Sequence, residues 1–227
     1  MQFISAILWI ETSFCTKKSV LDDILNIVSS SVGSLTNANK ITNTFKSAKQ
    51  MNIGAPTVNR YLDYFIDAFM LYKAERYDVK GRKYIGSPLK YYFSDVGLRN
   101  ARLNFRQQEE NHIMENIIYN ELCNRDFNVD VGVVEYCYKD EEKKSKRAQL
   151  EIDFVANKGS KKYYVQSALT VADEEKREQE ICSLKRVGDS FKKIVVVKDN
   201  IIPWHDDDGI LYIGIEQFLL DENAMDM

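Results

Sequence analysis

The stretch "LEIDFVANKGSKKYYVQSALT", residues 150–170, decides how the second half of the chain is interpreted. In its first part Glu151 and Asp153 alternate with apolar residues, and Gly159 with its polar neighbours marks a turn. The second part is an apolar run that ends in Gln166-Ser167-Ala168. Alternation, a glycine turn and a second apolar run together predict a β-hairpin with acidic residues on its first strand.

The patterns around this hairpin predict an α/β fold for residues 105–227. A helical pattern precedes it at 107–127, followed by a strand at 128–138, and residues 139–149 are interpreted as a charged, solvated turn. A second helix at 172–187 and a continuous apolar run at 192–200 come after it. Helix, three strands, helix and strand is an order typical of a mixed sheet. The residues of the first helix predicted to face inward are Ile113, Ile117, Ile118, Tyr119 and Leu122.

Residues 20–104 are predicted to form three helices and a hairpin. The third helix begins near Pro56, where the missing N–H costs nothing, and Lys80-Gly81-Arg82 signals the hairpin turn. This is the winged-helix order, so the whole chain is predicted to be α/β (α+β overall), a winged helix-turn-helix followed by a mixed-sheet domain. The apolar stripe predicted for the third helix consists of Val58, Leu62, Phe65, Ile66 and Phe69.

The third helix has the position of a DNA-recognition helix, and the hairpin turn is basic. Asp63 and Asp67 on the same helix would repel phosphate, and winged helices also serve only to join domains or proteins, so both alternatives stay open. The residues predicted to contact DNA are Thr57, Asn59 and Arg60 on the helix and Lys80, Arg82 and Lys83 on the turn.

Composition narrows the class of protein. The net charge of −3 gives no global basic field, and the four cysteines show no C-x-x-C spacing, so a zinc site is not expected. Residues 1–19 begin apolar but are too short to span a bilayer, and they stay an unassigned segment that we interpret as a packing strand or helix. These features predict a cytoplasmic protein with no membrane partner.

From about Val20 onward the chain resembles the C-terminal region of prokaryotic AAA-type ATPases. The stretches that carry the resemblance are "RYLDYFIDAFMLYKAERYD", "SPLKYYFSDVGLRNA", "MENIIYNEL" and "IDFVANKG". In that family a nucleotide-binding domain precedes a winged helix and a restriction-endonuclease-like domain. The resemblance therefore implies a winged helix at 20–104 and a PD-(D/E)XK-type nuclease-like domain at 105–227.

The sequence departs from this family at the nucleotide-binding motif. No G-x-x-x-x-G-K-[ST] loop occurs, so nothing in the sequence is suited to cradle the phosphates of ATP. We therefore expect a stand-alone or truncated relative that lacks the ATPase domain and neither binds nor hydrolyses ATP.

The resemblance also assigns a candidate nuclease site. Glu115 and Asp153 match the acidic positions of the nuclease fold and are the candidate metal ligands, with Mg²⁺ as the cation such oxygen ligands would take. Gln166, a further candidate catalytic residue, stands where the second strand of the fold has its acidic residue, and Ala168 stands where the fold has its lysine. A migrated lysine on the following helix, Lys176 or Lys185, would restore the set, although such charges are usually just solvated.

The sequence is compatible with two functions. The sequence favours a non-catalytic module that binds DNA or a protein partner on a degenerate nuclease fold. The alternative is a divalent-metal-dependent nuclease with a rearranged site. Convergence of Glu115, Asp153 and Gln166 with a lysine amine would favour the enzyme, whereas an apolar or salt-bridged pocket would favour the module.

Overall fold

The computed structural model describes residues 19–49, 52–106, 109–139 and 144–227. Apart from residue 19, the unassigned N-terminal segment therefore lies outside the described residues. Within them the chain forms a mixed α/β fold with one large sheet, as the sequence predicts.

The first half contains three helices and a hairpin. Helix α1 covers residues 19–30, α2 covers Ala38–Lys49 and α3 covers Ala55–Asp67. Asn37 caps α2, because its side-chain oxygen accepts a hydrogen bond from the Lys40 amide at 2.8 Å. Strands β1 (Leu71–Asp78) and β2 (Lys83–Phe93) pair antiparallel and confirm the predicted hairpin.

Helix α4 (Val96–Arg102) leads into the second half and was not predicted. Asp95 caps it by accepting from the Leu98 amide at 3.1 Å. The second half continues with α5 (Glu110–Asn124), β3 (Asn128–Lys139), β4 (Ser145–Lys158), β5 (Lys161–Ala168), α6 (Glu174–Lys185), β6 (Lys192–Val197), β7 (Trp204–His205), β8 (Leu211–Gly214), α7 (Ile215–Leu220) and a final 3₁₀ turn (Ala224–Asp226).

The eight strands found in the described residues belong to one sheet with the order β2-β1-β3-β4-β5-β6-β8-β7. The sheet is mixed: β1 runs parallel to β3, and β5, β6 and β8 run parallel, while the remaining neighbours are antiparallel. The hairpin β1–β2 thus extends the sheet of the second half, through three residue pairs between β1 and β3 that begin at Arg76 and Val131. The sheet passes across the predicted boundary between residues 104 and 105.

Two apolar cores lie on the sheet. The larger one joins α1, α2, α3 and α5 to the strands, and it includes Val28, Phe45, Leu62, Ile118 and Phe154. The smaller one lies under α6 and includes Ile181, Leu184 and Ile152. Because one core serves both the N-terminal helices and α5, the first half is packed directly onto the second.

Two sequence predictions are wrong in detail, and one feature of α5 was not predicted. Phe69 is 78% exposed, because α3 ends at Asp67 and Phe69 adopts a positive φ of 56° outside the helical period. Residues 145–149 are strand rather than turn, since they pair with β3 and leave their charges in solvent. Helix α5 buries the polar residues Glu115 and Asn116, which an apolar stripe cannot reveal.

Candidate functional site

Three carboxylates meet around one buried lysine. The ammonium group of Lys90, on β2, lies 2.7 Å from Glu115 Oε1 on α5 and 2.7 Å from Glu151 Oε1 on β4. Asp153 Oδ1 lies 3.9 Å from the same nitrogen, and the Lys90 side chain is 4% exposed. We refer to these four residues as the Lys90 cluster. It joins the hairpin of the first half to the helix and strand of the second.

The C-terminal part of β2 is held against α5 by amide side chains. Asn116 accepts from the Phe93 amide at 2.8 Å and donates to the Phe93 carbonyl at 2.7 Å, which is the pairing a neighbouring strand would give. Asn120 adds a hydrogen bond to the same carbonyl. These contacts hold the end of β2 against α5. Tyr92, two residues along, donates to Glu115 Oε1 at 2.5 Å.

A β-bulge in β4 positions Asp153. Asp130 of β3 pairs with Val155, but Gly132 pairs with Ile152, so β4 has one extra residue in this interval. Gly132 is required opposite the bulge, because an added Cβ would lie 2.9 Å from side-chain atoms of both Ile152 and Val155. The bulge leaves Asp153 pointing toward β5, where its Oδ2 accepts from the Ser167 amide at 2.8 Å.

Gln166 lies beside Asp153, and both ends of its side-chain amide already have partners. Its amide oxygen accepts from the Asp153 backbone amide at 3.3 Å, and its amide nitrogen lies 3.5 Å from Glu180 Oε2 on α6. Ala168 is buried and presents only a methyl group. Strand β5 would supply the third oxygen and the lysine of a nuclease site. In this chain its oxygen already accepts a hydrogen bond, and it has no lysine at position 168.

A polar cavity of about 530 Å³ opens beside the cluster. Glu115, Asp153 and Gln166 all line it, so the structure brings together the three residues that the sequence singled out. The cavity is also lined by residues of β5, α6 and the segment between them, namely Ser167, Thr170, Lys176 and Glu180. Lysine 185, the other candidate for a migrated lysine, instead lies 2.9 Å from both Glu178 and Asp208.

The electrostatics of the cluster reflect burial and an excess of negative charge. Burial, with the nearby charge of Glu115, raises the pKa of Asp153 to about 8. Burial alone would raise the pKa of Glu115 too, but contact with His112 and Lys90 lowers it below its usual range. Burial likewise opposes the charge on Lys90, yet Glu115, Asp153 and Glu151 together hold its pKa above the ordinary value.

The arrangement does not fit a divalent metal ion. Glu115 Oε1 already accepts from both Lys90 and Tyr92, and the ammonium group takes up the space between the carboxylates. Across the described ranges, no group of three His, Cys, Asp or Glu side chains is arranged to hold a metal. The metal role of Glu115 and Asp153 thus stays a prediction without a geometry to support it here.

Lys90 is the residue that sequence reasoning missed. Its signal was present in "SPLKYYF", where one lysine interrupts a run of residues that becomes buried on β2. A lysine in such a run needs a charged partner, since burying an unpaired ammonium group is costly. Its partners lie at residues 115, 151 and 153, so pattern inspection of one strand could not identify them.

The residues predicted to contact DNA lie at the surface. Asn59 and Arg60 on α3 are exposed and Thr57 is half-buried. Asp63 and Asp67 are exposed on the same helix. On the hairpin turn all three basic residues are exposed, namely Lys80, Arg82 and Lys83.

Comparison with known proteins identifies relatives without an assigned activity. Residues 15–109 match a family described as a domain of unknown function, DUF8612. An uncharacterized protein of Haemophilus influenzae is 31% identical over 201 residues, which cover 88% of this chain and 46% of that relative. The chain thus spans about half the length of the curated relative it matches. No solved structure matches the chain significantly. None of the helices in the described part of the chain is long and apolar enough to cross a membrane.

Proposed function

We propose that this chain is a non-catalytic binding module, a winged helix followed by a degenerate nuclease-like domain. The observation that carries the proposal is the Lys90 cluster. A nuclease of this type uses carboxylates to hold a hard cation and a separate cation to orient water or phosphate. In this chain the Lys90 ammonium group already lies between the carboxylates, and Ala168 offers no second positive charge.

The order of the elements supports the winged-helix part of this proposal. Helices α1, α2 and α3 precede the β1–β2 hairpin, and α3 carries the exposed side chains Asn59 and Arg60. The hairpin turn adds three exposed basic residues that could contact phosphates. The acidic residues on α3 oppose phosphate at that helix, so a protein partner is as well supported as DNA. The module would correspond to the region that follows the nucleotide-binding domain in AAA-type ATPases.

One observation favours the enzyme as a second candidate function. The Lys90 ammonium group lies 3.9 Å from Asp153 and borders the cavity residue Glu115, so a lysine does reach the acidic residues from outside the hairpin β4–β5. If a cation displaced Lys90 from Glu151 and Glu115, the freed ammonium group could serve the role of the missing nuclease lysine. This candidate is a divalent-metal nuclease with a rearranged site.

A cleavage assay separates the two functions. The unmodified protein is incubated with duplex DNA, single-stranded DNA and RNA, each with Mg²⁺ or Mn²⁺, beside Asp153→Ala. The module predicts no cleavage above that of Asp153→Ala. The exposed Asp207 provides a matched control as Asp207→Ala. Cleavage that persists in the control but is lost in both Asp153→Ala and Lys90→Ala would establish the nuclease instead.

A further inference from the structure

The Lys90 cluster combines groups from three separate elements around an ammonium group that is itself buried. Lys90 comes from the hairpin of the first half, Glu115 from α5, and Glu151 and Asp153 from β4. At the other end of Glu115, Gly33 lies so close that an added Cβ would be 3.0 Å from Glu115 Oε2. Glu115 therefore has little room in which to move away from Lys90.

The single positive charge of Lys90 does not balance the acidic groups that surround it. Three carboxylates face one ammonium group, with the Tyr92 hydroxyl and the half-buried His112 as the remaining titratable neighbours. Carboxylates brought together repel each other unless a proton or a cation lies between them. Loss of Lys90 would leave an uncompensated negative cluster of oxygen ligands, which is the environment a hard divalent cation prefers.

We propose that the Lys90 ammonium group is the resident cation of this cluster, holding β2 on α5 and β4 in the place where a nuclease site would hold a metal. The inference rests on the proposed function, because a working nuclease would need that place for its metal. Lys90 is then a positioning residue. It keeps the hairpin and the carboxylates together, and its presence excludes divalent cations from the cluster.

The experiment compares divalent-ion binding with and without Lys90. Lys90→Met keeps the aliphatic length of the side chain and removes its charge. Lys185→Met is the matched control, because Lys185 also joins two carboxylates, but on the surface of α6. Each protein is titrated with MnCl₂ against NaCl of equal ionic strength. Bound Mn²⁺ is measured by electron paramagnetic resonance, and thermal unfolding is followed in parallel.

We expect the unmodified protein and Lys185→Met to bind no Mn²⁺ with a Kd below about 0.1 mM, a range in which millimolar ion would measurably stabilise the fold. Lys90→Met should melt at a lower temperature and recover by about 4 °C or more in 5 mM Mn²⁺. Adding Asp153→Asn to Lys90→Met should abolish that recovery, since an amide, unlike the Asp153 carboxyl group, cannot give up a proton to become a charged ligand of the ion.

Tight Mn²⁺ binding by the unmodified protein would overturn the inference, as would a Lys90→Met response no larger than that of Lys185→Met. If Lys90→Met does not fold, the double variant Lys90→Met/Asp153→Asn decides. A folded double variant supports the inference, because removing a carboxylate then relieves the repulsion, and an unfolded one overturns it. Mn²⁺ binding without cleavage would leave the proposed function intact, whereas Asp153-dependent cleavage would overturn the proposed function itself.

Discussion

At the scale of single residues, Asp153 is a buried carboxyl group whose surroundings oppose its ionisation. Its carboxylate is largely withdrawn from water and lies near Glu115, and both effects disfavour its ionised form. The Ser167 amide and the more distant Lys90 ammonium group compensate in part. At neutral pH the side chain therefore keeps a proton that an ordinary aspartate would have lost.

This opposition to ionisation predicts how Asp153→Asn changes stability with pH. A carboxyl group whose folded pKa is raised to about 8 stabilises the fold below its ordinary pKa and loses that contribution as pH rises through 8. Asn carries no such penalty and can still accept from the Ser167 amide. The variant should thus gain stability relative to the unmodified protein between pH 4 and 9, by up to about 5 kcal/mol at the upper end.

Urea unfolding across this pH range measures the effect. Asp207→Asn is the control, because Asp207 is exposed and its replacement should leave the pH dependence unchanged. A difference between Asp153→Asn and the unmodified protein that stays constant with pH would show that the Asp153 carboxylate is not destabilised by the fold.

At the scale of elements, the β4 bulge is the feature on which the position of Asp153 depends. Gly132→Ala would place a methyl group 2.9 Å from Ile152 and Val155, so β3 and β4 must move apart or the bulge must shift. We expect a loss of about 1–3 kcal/mol in the free energy of unfolding. Gly86→Ala on β2 is the matched control, because nothing lies within 4 Å of its added Cβ.

Chemical denaturation of the two glycine variants provides the comparison. Gly86→Ala should change stability by no more than about 0.5–1 kcal/mol, since it removes only the flexibility of glycine in a strand. Equal effects at both positions would mean that the close packing of Gly132 against the bulge is not what makes that glycine necessary.

The sequence predicts the elements better than it predicts their contacts. Period-2 and helical patterns, with the glycine turn at residue 159, identify the β4–β5 hairpin, α5 and the buried strand β6. The bulge is invisible, because it arises from pairing with β3 rather than from β4 itself. Glu115, Asp153 and Gln166 were found through resemblance to a fold, whereas Lys90 was missed because its role depends on partners in other elements.

At the scale of the whole molecule, several structural contacts cross the predicted domain boundary between residues 104 and 105. Strand β1 pairs with β3, Asn116 holds the end of β2, and the Lys90 cluster crosses the boundary. The larger apolar core also includes side chains from both halves. Cutting these connections would expose the edge of β3 and leave the carboxylates of the cluster without their lysine.

We therefore predict that residues 20–104 and 105–227 unfold together. Differential scanning calorimetry should show one transition rather than two, because the larger apolar core is built from side chains of both halves. Phe65→Ala tests this through the first half alone. Phe65 is 3% exposed in α3, so its loss should cost about 3–5 kcal/mol. If the halves are coupled, that loss lowers the single transition as a whole. A new low-temperature transition, with the remainder melting unchanged, would instead show that the N-terminal helices and hairpin form an independent domain, and the contacts of Lys90 would then be too weak to join them.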